Sequence, residues 1–440
     1  MGKYFQDGVL FNKQLSALSR YLHGISYLSA IHDTFCRLMP VIIVLTLIHM
    51  MGFLVFNPTG FLLGEDWLGL GSILSGTLND QAYRDSDFFV RLNYVKSCLQ
   101  TTTILLSMIF ALVLTIKLSN IWNCEHILPL SCTLTAYIVL INTLPKDYDI
   151  SIYFLGAGFF LALLFASTSA FVFSRLTRIE WLQLPVVGGL PKDMSTTIVF
   201  LPSMACTLVI VIAIASIWTT IESYILTFIP TIASTISDNF AQSPLVAIIY
   251  ECIRSFLWWL GLDGGSLTYF LCNAFYVPNQ ISNELNDEKF IFTIEFLDSN
   301  SVSLLGLAIS IWVFSAQRKI RKISSFCFPT LLCGINAPFL FSLPIVLNPL
   351  FIMPYLLTSM LNFFIGYLAI HWNIVPIFYH TVESTAPVFL QGFLATGDIM
   401  GAVLQLVWLS VDVVIYTPFV IMLDLISRNK SWKEVGKNGS

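Results

Sequence analysis

The sequence predicts an all-α polytopic membrane protein with about eight to ten transmembrane helices and additional re-entrant hairpins. The first observation is composition, because 56% of the residues are hydrophobic and 11% are charged, whereas soluble domains carry roughly 25% charged residues. The second is a mean hydropathy of +0.79. The third is a stretch from Ile323 to Val382 that contains no Asp, Glu, Lys or Arg. That stretch is much longer than the roughly 20 residues of one crossing.

Charge and cysteine content exclude several other classes. Lys and Arg number 22 and the formal net charge is −4, so we expect no nucleic-acid partner. The nine cysteines show neither a CxxC pair nor a Cys/His ligand spacing, so we expect no metal site, no cofactor and no disulfide.

The first part of the chain predicts an N-terminal transmembrane bundle. Residues 1–33 read as a cytoplasmic amphipathic N-terminus, and residues 34–180 as the bundle. Residues Asn57 to Lys96 are polar and acidic, which predicts an external loop. The predicted spans of this bundle are Thr34 to Phe56, Ser97 to Ile116, Cys124 to Asn142 and Ser151 to Ser174.

The second part predicts a transport domain at residues 201–426, after a linker at 181–200 and before a cytoplasmic tail at 427–440. A fifth span is expected from Ile198 to Phe228, and further spans at Ser301 to Ala316, Pro349 to His371 and Gly401 to Ile426. Phe228 to Ser243 predicts a surface-lying piece, Tyr276 to Asn300 an external acidic loop, and Leu245 to Phe275 a double crossing or a re-entrant loop. The basic run Arg318 to Lys322 is expected on the cytoplasmic side.

The segment from Cys333 to Pro349 contains three prolines and two asparagines inside apolar sequence. Proline removes a backbone donor and breaks a helix, and a broken helix in lipid needs protein or a water-filled cavity around it. Such segments often mark a transporter's substrate site. The alternative is a proline-kinked span with packing asparagines.

Three motifs in this chain resemble the enzyme IIC membrane subunits of the bacterial phosphotransferase system, in the lactose/cellobiose (diacetylchitobiose) branch. Those proteins carry a run like "NINEPIIFGLPIVLNP", which Ile335-Asn336, Pro338, Phe341 and Leu343 to Pro349 match. Trp258 to Ser266 is similar to the family's "WFFGIHGxN" loop, and Gly392 to Asp398 to its "GFLATGGD" segment. The resemblance covers most of residues 30 to 425.

The resemblance implies a membrane subunit that binds and translocates a sugar, such as a β-linked disaccharide. It implies no catalytic residue of its own, because a partner enzyme IIB, supplied by enzyme IIA, would phosphorylate the sugar. It further implies a homodimer in contact with membrane lipid, formed through the first five spans. The expected location is the bacterial cell (inner) membrane, multi-pass, with both termini cytoplasmic.

The chain departs from the family at both signature polar groups. Asp263 stands in place of the histidine of "GIHG", and Ala337 in place of the glutamate of "NEP". The substrate-binding candidates are Asp263, Gly264, Ser266, Asn336, Pro338 and Trp259. Asp263 has a second interpretation as a helix cap.

Four further residues are candidate polar contacts: Glu251, Arg254, Asp398 and Asp412. Glu251 and Arg254 are three residues apart and can pair on one helical face. Asp412 lies within the last span, where a lone carboxylate is costly. It either has a functional role or packs against Ser410 or Thr417.

Two functions from different classes remain open from sequence. One is a sugar transporter subunit. The other is a degenerate receptor that binds a sugar-like ligand and regulates a cytoplasmic output, which the loss of both signature groups favours. A neighbouring gene for enzyme IIB or IIA would favour transport, and a cytoplasmic signalling domain in longer versions of the chain would favour sensing.

Overall fold

The computed structural model describes residues 26–64, 68–76, 80–143, 158–185, 197–236, 242–285, 289–343, 345–382 and 386–438. These residues form helices and no strands. The longer helices are α1 (Ser26–Leu54), α2 (Asp87–Ile121), α3 (Ile127–Thr143), α4 (Gly158–Leu176), α5 (Leu201–Ile236), α6 (Pro244–Trp259), α7 (Tyr269–Leu285), α8 (Ser303–Phe314), α9 (Arg318–Leu332), α10 (Pro349–His371) and α11 (Ile399–Asn438).

Shorter helices fill the connections. They are Leu70–Ser75, Asp80–Arg84, Gly264–Leu267, Ile294–Asp298, Ala337–Ser342 and Leu390–Thr396, with 3-10 turns at Glu180–Leu182 and Ser299–Val302. Two of the short helices, Gly264–Leu267 and Ala337–Ser342, lie in the segments that the sequence singles out as broken.

Six segments in the described part of the chain are long and apolar enough to cross a membrane. They are Ser26–Leu54, Gly158–Leu176, Leu201–Trp218, Ile294–Phe314, Pro349–His371 and Ile399–Ile426. Two shorter apolar helices, Leu106–Ile121 and Ile127–Thr143, accompany them. The prediction of an all-α, multi-pass membrane fold is confirmed.

Helices α1 to α5 pack into one group. Helix α1 lies against α2, α2 against α4, and α5 against α3 and α4. Phe35 of α1 and Phe110 of α2 are buried with ring centroids 4.4 Å apart. Helix α5 begins at Leu201, where the predicted transport domain also begins. It nevertheless packs on α3 and α4, so its contacts group it with residues 34–180. The domain boundaries stay a prediction.

Helices α6, α8, α10 and α11 form the core of a second group. The main pairs are α8 with α11, α6 with α10, and α10 with α11. Helices α8 and α11 approach closely at Gly306, where an added Cβ would overlap the Cβ of Asp412. Small residues allow such close contact between membrane helices.

One predicted loop is wrong, and one predicted surface-lying piece is partly helical. The surface piece at Phe228 to Ser243 is helical up to Ile236. The acidic stretch Tyr276 to Asn300 holds the last part of α7 and the buried helix Ile294–Asp298. Two carboxylates of this stretch have protein partners: Glu295 accepts a hydrogen bond from the Val382 amide at 3.0 Å, and Asp298 pairs with Arg254. A high content of acidic residues predicted an external loop here, although the helix Ile294–Asp298 is buried.

Other expectations differ in extent or fall elsewhere. The predicted external loop Asn57 to Lys96 includes the first turns of α2, which Ser86 caps through the Phe89 amide. Residues 1–25 and 186–196, which hold most of the predicted N-terminus and linker, lie outside the described residues.

Candidate functional site

The first broken segment follows α6. The chain turns at Gly261, whose φ is +82°, a conformation that glycine adopts without strain. It then passes so close to α6 at Gly264 that an added Cβ would overlap the backbone carbonyl of Arg254. Asp263 caps the short helix Gly264–Leu267, because its Oδ1 accepts a hydrogen bond from the Ser266 amide at 3.0 Å.

The second broken segment is the hairpin between α9 and α10. It contains Gly334 at φ +70°, the helix Ala337–Ser342 and Asn348, which caps α10 through the Leu350 amide. Phe341 stacks on Phe35 of α1, with centroids 4.3 Å apart. The hairpin therefore rests on the first helix group.

One side-chain and one backbone hydrogen bond join the two segments. Trp259 Nε1 donates to the Asn348 carbonyl at 2.9 Å, and the Leu347 amide donates to the Trp259 carbonyl at 2.9 Å. Trp259 is buried. Its role in this structure is to hold the hairpin against the end of α6.

A cavity of about 190 Å³ lies beside this junction. Its wall combines polar and apolar surface in about equal parts and comes mainly from α6, the Ile294–Asp298 region, α8, the hairpin and α10. The lining residues are Glu251, Arg254, Ser255, Trp258, Gly265, Asp298, Asn300, Ser303, Leu304, Gly334, Asn336, Tyr355, Ser359 and Gln391.

Arg254 is the centre of the polar network in the cavity wall. Its Nε donates to Glu251 Oε2 at 2.9 Å and its Nη1 to Asp298 Oδ1 at 2.9 Å. Its Nη2 donates to the Leu297 carbonyl at 2.7 Å. The sequence therefore anticipates the Glu251–Arg254 pair, while the second carboxylate comes from a segment that the sequence analysis places outside the membrane.

Glu251 is held by more than the arginine. Asn300 Nδ2 donates to Glu251 Oε1 at 3.2 Å and to the Ser359 carbonyl at 3.3 Å. Ser255 Oγ donates to Ser359 Oγ at 2.9 Å. These bonds connect α6 with α10 directly behind the cavity.

Two amide oxygens in the wall have no hydrogen-bond partner: Asn336 Oδ1 and Asn300 Oδ1 are both buried and unbonded. Buried polar atoms are nearly always bonded to protein or to a ligand or water. Both residues line the cavity, so these oxygens are unsatisfied acceptors in its wall.

The structure separates the sequence-predicted site residues into two sets. Glu251, Arg254 and Asn336 line the cavity. The others support the wall without forming it, and they are Asp263, Gly264, Ser266, Trp259 and Pro338. Within this set, Asp263 makes the helix cap that the sequence leaves open as an alternative.

The remaining two candidates lie elsewhere. Asp398 caps α11, since its Oδ1 accepts from the Met400 amide at 2.8 Å. Asp412 accepts from Asn362 Nδ2, at 3.1 Å and 3.0 Å to its two oxygens. The expected packing against Ser410 or Thr417 is wrong, because both hydroxyls bond carbonyls of their own helix.

Sequence reasoning missed Asp298, Asn300 and Ser359. Asp298 and Asn300 stand immediately before the apolar run of α8, and that position is a signal that could have been used. Among the described residues, no group of three His, Cys, Asp or Glu is arranged to hold a metal ion.

This architecture, with many apolar helices and two broken segments beside a polar cavity, defines the class of membrane transport proteins. The family model for "Phosphotransferase system, EIIC" matches residues 32–359. The chain belongs to this family.

Relatives and a solved structure agree with that assignment. The chain is 28% identical over 297 residues to the oligo-beta-mannoside-specific EIIC component of the phosphotransferase system from Bacillus subtilis (strain 168), covering 63% of this chain and 65% of that protein. It is 25% identical to the lichenan permease IIC component of the same organism, covering 61% and 62%. The alignments thus span less than two thirds of these relatives.

The crystal structure of the transporter ChbC has a similar fold. ChbC is the IIC component from the N,N'-diacetylchitobiose-specific phosphotransferase system. The similarity covers 96% of this chain and 99% of ChbC, with a TM-score of 0.51 and 17% sequence identity.

Proposed function

We propose that this chain is the membrane subunit of a phosphotransferase system that binds a sugar and carries it across the membrane. The observation that carries the proposal is the polar cavity between the two broken segments, in a chain of the EIIC family. The cavity offers hydrogen-bonding groups together with the aromatic rings of Trp258 and Tyr355. Ligand sites commonly combine a few placed polar groups with such rings.

The proposed substrate is a β-linked sugar. The oligo-beta-mannoside, lichenan and cellobiose components among the relatives are named for sugars or glycans of this kind. Asn336, Glu251, Arg254 and Gly265 are the proposed contacts, because they line the cavity.

The proposed partners are enzymes IIB and IIA, which would supply the phosphoryl group, and a second copy of the chain. We also propose that both termini are cytoplasmic. Within the described part of the chain, the six candidate spans and two shorter apolar helices would together make an even number of crossings, which supports termini on one side.

The test is uptake of radiolabelled β-linked disaccharides into vesicles that contain the protein, with and without a phosphotransferase mixture. Accumulated sugar phosphate would support the proposal. Uptake without phosphorylation would support a carrier that works without the partner enzymes. Binding without uptake in either condition would contradict transport and support the receptor.

A further inference from the structure

The cavity wall carries one uncompensated negative charge. Its charged lining residues, in the described part of the chain, are Glu251, Arg254 and Asp298. One guanidinium lies between two carboxylates, at 2.9 Å from each. Charges at membrane depth are usually paired, and here the protein supplies one cation for two anions.

The same wall is rich in hydrogen-bond acceptors. Asn300 Oδ1 and Asn336 Oδ1 are buried without donors. Arg254 donates hydrogen bonds to Glu251, Asp298 and the Leu297 carbonyl, which use most of its N–H groups. Ionised carboxylates accept hydrogen bonds and donate none. A ligand that carries an acid group would therefore be repelled by a wall of the same charge.

Asp298 is the carboxylate that faces the open space. The Glu251 side chain is only 4% exposed, whereas that of Asp298 is 43% exposed and lines the cavity. Arg254 holds Asp298 through Oδ1. A bound cation would therefore meet Asp298 before Glu251.

We propose that this cavity selects a sugar that carries an ammonium group, with Asp298 as the residue that sets this specificity. The proposal rests on the proposed sugar-binding function and adds the substrate class. An ammonium group brings both the missing positive charge and hydrogen-bond donors to a wall on which the Asp298 side chain is 43% exposed. Sugar acids are excluded by the same charge.

The test compares three disaccharides that share one β-linked backbone. Chitobiose carries amines where cellobiose carries hydroxyls and diacetylchitobiose carries acetamides. Each is added to the purified full-length protein in detergent at mildly acidic pH, where the amine is protonated, and its Kd is taken from ligand-dependent thermal stabilisation. We expect chitobiose to bind about tenfold more tightly than cellobiose, which is about 1.4 kcal/mol.

Three variants locate the cause. Asp298→Asn keeps the size of the side chain and should abolish the amine preference. Asn336→Asp adds one more carboxylate to the wall and should increase the preference for the amine. This variant keeps the test informative if Asp298→Asn does not fold. Asp33→Asn is the matched control, because Asp33 pairs with Lys117 at 3.1 Å outside this cavity, and it should leave the preference unchanged.

Two kinds of failure can be told apart. Binding of these disaccharides with no amine preference, or with a preference that survives Asp298→Asn, would overturn the charge assignment alone. If none of the three binds to wild type, and vesicles take up none of them, sugar binding itself fails.

Discussion

Replacing Arg254 with methionine tests whether the buried ion pairs stabilise the second helix group. The variant keeps a long side chain but removes the bonds to Glu251, Asp298 and the Leu297 carbonyl. The Arg254 and Glu251 side chains are 14% and 4% exposed, so Glu251 would be left as an unpaired buried charge. Removing one partner of a buried pair costs about 3–5 kcal/mol. We expect about 3 kcal/mol, because Glu251 keeps Asn300 as a donor.

The assay is thermal unfolding of the purified protein for wild type, Arg254→Met, Glu251→Gln and the double variant. The double variant should be more stable than Arg254→Met, because it leaves no unpaired charge at residue 251. An Arg254→Met protein within about 0.5 kcal/mol of wild type would refute the reasoning. A double variant no more stable than Arg254→Met would refute it as well.

Three more changes give sharp expectations. Gly264→Ala should destabilise the protein by about 2 kcal/mol, because its Cβ would overlap the carbonyl of Arg254 in α6. Gly265→Ala is the control and should be near neutral, because its Cβ meets only a carboxylate oxygen at 3.3 Å. Equal unfolding temperatures for the two variants would contradict the predicted overlap. Asn362→Leu should lower the free energy of unfolding by about 2 kcal/mol, because it removes both hydrogen bonds to the buried Asp412 side chain. Asp412→Asn should cost less, because an amide can still bond to Asn362, and the reverse order in unfolding measurements would contradict this reasoning. Asn336→Ala should weaken sugar binding several-fold without lowering the unfolding temperature, since the Asn336 side chain makes no cap bond. If sugar stabilises the variant as much as wild type, Asn336 is not a sugar contact.

Sequence was sufficient for the class of fold because lipid constrains it strongly. Long apolar segments must be helices in a membrane, and the predicted span Pro349 to His371 has the bounds of α10. Charge content misled where acidic residues have buried partners. Tyr276 to Asn300 looked like a solvated loop, yet Asp298 pairs with Arg254, 44 residues earlier in the chain.

The site could be predicted only in part. A motif lies within one short stretch of sequence, whereas the cavity wall brings together residues that are far apart in the chain. The hairpin motif correctly drew attention to Asn336, which lines the cavity. The same reasoning put Asp263 at a signature position, where the structure has it capping a helix. Asp298 and Asn300 belong to no motif. They enter the wall because the Ile294–Asp298 region packs beside α6, and no spacing in the sequence encodes that contact.

The junction explains how the chain can keep the family's scaffold while losing both signature side chains. The hairpin is fixed to α6 by two hydrogen bonds, one from the Trp259 indole to the Asn348 carbonyl and one from the Leu347 amide to the Trp259 carbonyl. Neither bond uses the side chain at residue 337. The charged side chains that line the cavity in the described part of the chain are Glu251, Arg254 and Asp298, which lie outside the hairpin. We expect a change at residue 337 to leave these charges in place, since the bonds of Arg254 to Glu251, Asp298 and the Leu297 carbonyl do not use the hairpin. The selectivity that we propose therefore depends on Asp298 and on the α6 residues Glu251 and Arg254.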